Sequence, residues 1–333
     1  MLRRDVAIKT CEVASREVRA RFEREARLSA RLRHPLITTV YDFGFEGGVP
    51  FLVCEFLEGA DLDEVFGRNP DLPLLEKLDI LIAVAEALEC AHGAGVLHRD
   101  VKPGNVRILP DGSVKLMDFG IAKSLLLDVE EKLTRAGITV GSSAYMSPEQ
   151  ARGEPLDART DLFSLGVLSY ELLAGRKPFR DSDLLRLLEK IVTEEPDSLR
   201  SIAADLPSSL TALVHRCLAK DRDARPAFAE EVRLALRAIR AEVLAAAGLS
   251  PVPLSSGEDL APDSALQARI GRGAGTLRRF RRSLHRLAAA LLLLIAAGLM
   301  LYSLRRDGMT TLRFPDLRRS PVVRWAPPPH RLP

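Results

Sequence analysis

Two short polar runs, His98-Arg99-Asp100-Val101-Lys102-Pro103-Gly104-Asn105 and Asp118-Phe119-Gly120, constrain this chain more than any other feature. A lone aspartate such as Asp100 is in most sequences a turn or helix-capping residue. Two such runs in this order are not a chance assembly, and a fold for the chain has to place their side chains to a common purpose. The 333 residues, 47% hydrophobic and 28% charged, are enough to bury one large core or two lobes. The net charge of +3 is small for this length, and basic residues cluster only near the C-terminus, so no nucleic-acid partner is expected. Cys11, Cys54, Cys90 and Cys217 are widely spaced with no CxxC or Cys/His grouping, which argues against a disulfide framework or a zinc site. The N-terminus lacks the apolar run of a secretory signal.

From Val6 to Ala246, strand-like apolar runs come first and amphipathic helical patterns follow, which predicts a small mixed lobe ahead of a larger helical one, an α+β fold. Strands are expected near Val6 to Cys11, Ile37 to Gly44 and Phe51 to Glu55. Between the first two, Val18, Phe22, Ala26 and Leu28 recur at helical spacing with charges on the other face, predicting a surface-docked helix over Ser15 to Arg33. Further helices are expected at Leu74 to Ala94, Thr160 to Ala174, Ser182 to Thr193, Ser208 to Ala219 and Phe228 to Ala246.

Beyond this first domain, 1–246, residues 247–286 read as a linker that turns basic at Arg278, Arg279, Arg281, Arg282 and Arg286. Residues 287–304 then carry no charge, and as a helix they would cover about 27 Å, near the thickness of a bilayer's hydrocarbon layer. A single transmembrane helix is the expectation, since a helix beyond a long linker has no core to join. Arginines flank it almost evenly, so charge does not set its orientation. The N-terminal domain is expected on the cytoplasmic side of the inner (cytoplasmic) membrane, with 305–333 as a short extracytoplasmic tail.

The run from His98 to Asn105 resembles the catalytic loop of protein kinases, and Asp118-Phe119-Gly120 follows at the spacing that loop requires. Phosphoryl transfer asks a protein to position groups and neutralise developing charge. The resemblance implies that Asp100 accepts the substrate hydroxyl's proton, that Lys102 sits beside the transferring phosphate, and that Asn105 and Asp118 hold magnesium, with manganese as an alternative. Lys102, two residues after Asp100, matches the serine/threonine branch. Val6-Ala7-Ile8-Lys9 resembles the strand whose lysine grips the α- and β-phosphates of ATP, with Ala7 beside the nucleotide. Glu25 is the implied carboxylate partner of Lys9, and Glu23 is its rival.

Leu52-Val53-Cys54-Glu55-Phe56-Leu57 is similar to the hinge between lobes, where backbone groups of Glu55 and Leu57 would bond adenine. Cys54 would be the gatekeeper and Asp61 would reach the ribose. Residues from Asp118 to Glu149 resemble an activation loop; Thr134 and Thr139 are the expected phosphate acceptors, the new phosphate pairing with Arg99. Glu149 would pair with Arg225 as a buried bridge, and Asp161 would brace the catalytic loop. The whole is similar to bacterial membrane-attached serine/threonine kinases of this family. Protein substrates, ATP, the membrane and a second copy of the chain are the partners this implies; a kinase-like scaffold is the alternative.

Three positions depart from the family pattern. A glycine-rich loop is expected ahead of Val6-Ala7-Ile8-Lys9, yet only five residues precede Val6, which reads first as a mis-called start, then as a fragment or a degenerate kinase. Arg107 stands where an apolar floor for adenine is usual, and either stacks on the ring or spoils the pocket. Ser142 replaces a threonine whose hydroxyl would bridge Asp100 and Lys102.

Overall fold

A computed structural model describes residues 4–10, 16–119, 140–248 and 323–325. All belong to one unit, Met1–Pro251 with Ser320–Pro333. Its first part is an antiparallel sheet of β1 (Arg4–Thr10), β2 (Val40–Glu46), β3 (Val49–Glu55) and β7 (Val323–Trp325), in the order β2-β3-β1-β7. The β2–β3 connection is Gly47-Gly48, both at positive φ, a conformation glycine adopts without a Cβ clash. Helix α1 (Arg16–Ser29) docks on the sheet through Phe22 and Ala26, one turn apart, against Phe43, Phe45 and Leu52. The rings of Phe22 and Phe45 meet edge-on with centroids 5.5 Å apart.

The chain leaves β3 through Phe56 to Gly59 and forms a second sheet, β4 (Ala60–Asp61), β5 (Val106–Ile108) and β6 (Val114–Leu116), that floors the cleft. Gly59 sits at φ +104°, where a Cβ would come within 2.1 Å of the Ile108 carbonyl oxygen, so this close crossing requires glycine. Helices α2 (Leu62–Arg68) and α3 (Leu74–Gly93) open the larger helical part. There follow α4 (Val140–Ser143), α5 (Pro148–Arg152), α6 (Ala158–Ala174), α7 (Leu184–Thr193), α8 (Leu199–Ile202), α9 (Ser208–Cys217) and α10 (Ala229–Ala246).

The core lies where α3, α6, α9 and α10 pack, with Leu78, Leu81, Leu88, Leu162, Phe163, Leu165 and Leu168 fully buried. Helix α6 is buried along most of its length because other elements enclose it, whereas α3 turns Asp79, Glu86 and Glu89 toward α10, where they pair with Arg240, Arg237 and Arg233. Gly166 of α6 admits α9: a Cβ there would lie 2.8 Å from that of Cys217. Asp157 caps α6 by accepting from the Arg159 N–H at 2.8 Å, and Gly175 ends it in the left-handed conformation.

The sequence-predicted elements are present with ends shifted by a few residues. The helix expected to reach Arg33 stops at Ser29, and Cys11 lies outside the described residues. Pairing through strands as short as β4, β5 and β6 was not anticipated, because three residues show no period. Among the described residues no helix is long and apolar enough to cross a membrane; residues 287–304 lie outside them. Strand β7 pairs with β1 in the register Arg4↔Trp325, Asp5↔Arg324 and Val6↔Val323. That pairing and a bilayer between 323–325 and the first domain exclude one another within a single molecule.

Candidate active site

The catalytic loop hangs from Asp161, a fully buried carboxylate in the first turn of α6. Its Oδ1 accepts from the Arg99 N–H at 2.6 Å; its Oδ2 accepts from the His98 N–H and pairs with His92 Nε2, both at 2.8 Å. Burial works against this carboxylate, but the His92 bond and the neighbouring groups outweigh it and hold its pKa below the usual value. The loop is strained at Arg99, whose φ of 62° is uncommon for a residue with a Cβ. What holds it there is a clamp on both backbone groups, since Gln150 Nε2 donates to the Arg99 carbonyl at 2.9 Å. Sequence reasoning missed Gln150 and His92, whose roles depend on partners far along the chain.

His98 is fully buried, and burial lowers its pKa, so the ring is neutral near pH 7. Its Nε2 therefore carries the proton and donates to the Met117 carbonyl at 2.8 Å, while Nδ1 accepts from the Asp100 N–H at 3.2 Å. The ring also meets Phe119, with centroids 4.7 Å apart. This one histidine ties the catalytic loop to the segment that presents Asp118, itself at φ 58°.

Five of the expected residues meet in two groups, Asp100 with Lys102 and Asn105, and Lys9 with Asp118. Lys102 Nζ lies 2.9 Å from Asp100 Oδ2, and Asn105 Nδ2 donates to the same oxygen at 3.1 Å and to the Asp100 carbonyl at 2.7 Å. Lys9, from the middle of β1, bonds Asp118 Oδ1. The expected Lys9–Glu25 pair is not made. Glu25, on the buried side of α1, instead faces Arg99 Nη1 and Arg24 Nη2, each at 3.5 Å, and its rival Glu23 pairs with Arg27 at 2.9 Å. The correction has a physical reason. Asp118 has already taken the lysine, and Arg99 Nε, buried without a hydrogen-bond partner, marks an unsatisfied cation close by.

Along the hinge, Ala7 lies opposite Cys54 in the β1–β3 ladder. Burial pushes the Cys54 thiol up to about 11, so it stays protonated. The Glu55 side chain accepts from Lys115 Nζ at 2.9 Å and from the Thr39 N–H at 3.2 Å, an anchor unseen in the sequence. Leu57 and Asp61 are both engaged by Arg107: Nη1 donates to Asp61 Oδ1 at 2.7 Å and Nη2 to the Leu57 carbonyl at 3.2 Å. Ser142 is half-buried at the end of α4. Thr134, Thr139 and Gly120 lie outside the described residues.

Below the site, Glu149 and Arg225 form the anticipated buried bridge, bidentate at 2.7 and 2.9 Å. Thr160 Oγ1 adds a third donor at 2.7 Å. Burial opposes the charge on Glu149, yet these donors pull its pKa down to about 2. With the Glu149–Arg225 bridge, the Asp161 clamp and the groups around Asp100 and Asp118 in place, the Protein kinase domain family matches residues 2–235. The chain belongs to the protein kinase family.

The kinase domain is similar to a probable serine/threonine-protein kinase of Streptomyces coelicolor, 38% identical over 71% of this chain and 36% of that protein. It is also similar to a serine/threonine-protein kinase of Myxococcus xanthus, 41% identical over 67% of this chain and 42% of that protein. For the kinase PknB of Mycolicibacterium smegmatis the identity is 37%, over 70% and 38% respectively. The chain thus spans less than half the length of these curated relatives.

Proposed function

We propose that the chain is an ATP-dependent protein-serine/threonine kinase, membrane-attached and switched by phosphorylation of its own activation segment. The observation that carries the reading is the convergence of Lys102 and Asn105 on Asp100 Oδ2, beside the pairing of Lys9 with Asp118. The acceptor hydroxyl attacks the γ-phosphorus, the bond to the departing ADP oxygen breaks, and the hydroxyl proton passes to Asp100. Lys102 compensates charge on the transferring group, and Lys9 on the α- and β-phosphates.

Asn105 and Asp118 suit a hard divalent cation, since one offers an amide oxygen and the other a carboxylate. The Asn105 amide nitrogen is spent on Asp100, which assigns its oxygen to that task. Magnesium bound there would neutralise phosphate charge. Purified protein incubated with labelled ATP and magnesium should phosphorylate a protein bearing Ser and Thr, and Asp100→Asn should slow it by at least about 100-fold. Labelling at the wild-type rate in the variant would refute the assigned base. Mass spectrometry of the same sample should find phosphate on Thr134 or Thr139; an active enzyme unmodified there would remove the proposed switch.

Membrane attachment through 287–304, with the kinase domain cytoplasmic, is proposed from the sequence. The β1–β7 pairing favours a second arrangement, in which the tail stays on the cytoplasmic side. A cysteine introduced at Ser320 distinguishes them in intact cells. Modification by a membrane-impermeant maleimide supports the single span; modification only after permeabilisation supports the tail on β1.

A further inference from the structure

The guanidinium of Arg107 holds two groups, the Leu57 carbonyl and Asp61, that the resemblance gives to the base and sugar of a nucleotide. Arg107 on β5 is the direct ladder partner of Asp61 on β4, and the ion pair they form is about three-quarters buried. The same fork reaches the Leu57 carbonyl at the hinge. Two of the groups assigned to adenine and ribose are therefore held by a side chain of the protein itself. The strands do not need this contact, since β4 and β5 pair through their backbones. Nor is the arginine fully satisfied: its Nε is buried with no hydrogen-bond partner. A buried donor left unpaired is unfavourable, so this placement is not one that stability alone would select.

We propose that Arg107 is an internal competitor of the nucleotide site, one that a purine nucleotide or nucleoside must displace from Leu57 and Asp61. The inference rests on the nucleotide-binding reading above. Apparent affinity falls by the fraction of molecules in which the arginine has swung clear. That reduction is the same factor for every ligand that places a base and sugar there. A nucleoside triphosphate retains the grip of Lys9 on its phosphates, whereas adenosine has no compensating contact. The arginine therefore lowers the affinity for nucleoside and triphosphate alike, and the triphosphate stays the tighter ligand only through its phosphates.

Calorimetric titration of adenosine and of ATP into the wild-type chain and into Arg107→Leu tests this without requiring turnover. Removal of the fork should tighten both ligands by the same factor, about tenfold, the scale of a partly buried charge-assisted pair. Arg107→Lys, which keeps charge but cannot fork, should fall between. If Arg107→Leu does not fold by circular dichroism, Arg107→Met carries the same expectation. Unchanged or weakened binding of adenosine in the folded variant overturns the proposal, and weakening marks a stacking platform instead. Failure of ATP to bind to wild type and variant alike removes the nucleotide reading and this inference with it. Tighter adenosine binding without phosphoryl transfer leaves the inference standing and counts against the kinase reading only.

Discussion

Glu149 and Glu25 are both buried glutamates that face an arginine, and they differ in how completely that charge is satisfied. Glu149 meets Arg225 through two short parallel bonds, with Thr160 as a third donor. Arg225 spends its remaining donors on the carbonyls of Ala219, Arg159 and Lys220. Glu25 touches Arg99 and Arg24 only at 3.5 Å, and the Arg99 Nε has no partner. A saturated pair has nothing to gain by moving. A loose pair exchanges partners at little cost. The comparison teaches that burial alone does not make an ion pair a rivet: Glu149–Arg225 is saturated on both sides, and Glu25–Arg99 is not.

The largest expected effect is on chemistry itself. Asp100→Asn should lower kcat by about 10²–10⁴-fold, the range for loss of a general base, with the melting temperature unchanged within about two degrees. A parallel fall in stability would mean that Asp100 belongs with the rivets.

Next comes the rivet. Glu149→Gln leaves Arg225 buried and unpaired, which should cost about 3–5 kcal/mol, read by urea unfolding. Acid should do the same to the wild type. The folded pKa of Glu149 is depressed to about 2, so its contribution is fully present above the ordinary value of 4.5 and is lost as pH falls from there toward 2. In Glu149→Gln the slope of stability against pH in that window should flatten. An unaltered slope would assign acid sensitivity elsewhere.

Glu25→Gln should behave oppositely, lowering kcat/KM by about tenfold while changing stability by less than about 1 kcal/mol. A loss of stability comparable to that of Glu149→Gln would erase the distinction between the two glutamates. The smallest effect belongs to the exposed pair Arg68–Glu64, spaced i,i+4 along α2 at 2.9 Å. Glu64→Gln should cost about 0.3–0.5 kcal/mol and leave activity alone. A larger value would show that proximity, and not burial with saturation, sets the worth of ion pairs here.

How much of this was legible beforehand follows from the range of each interaction. The order of strands then helices, the amphipathic face of α1 at Phe22 and Ala26, and the apolar runs of α3 and α6 are local patterns with a period, and they were readable. The pairing of Glu149 with Arg225 and the bracing by Asp161 were anticipated through resemblance, since their sequence separation hides them from any local reading. The expectation for Glu25 was not met because an ion pair depends on which of several neighbouring charges is free, and Asp118 holds Lys9. Arg107 was seen as an odd residue whose consequence stayed open between stacking and obstruction. Only the β4–β5 ladder, which sets it opposite Asp61, gives it partners.

The residues from His98 to Asn105 and at Asp118, read alone, determined the family, the reaction class it implies and the chemical role each side chain is suited to, because phosphoryl transfer demands those groups in that order. The tertiary structure decided which charges meet. It clamps Arg99 between Asp161 and Gln150, joins Lys9 to Asp118, turns Glu25 toward Arg99 and lays Arg107 across the hinge. The physical reason is that electrostatic partnership falls off within a few ångströms and depends on burial, and neither distance nor burial is a property of the linear chain.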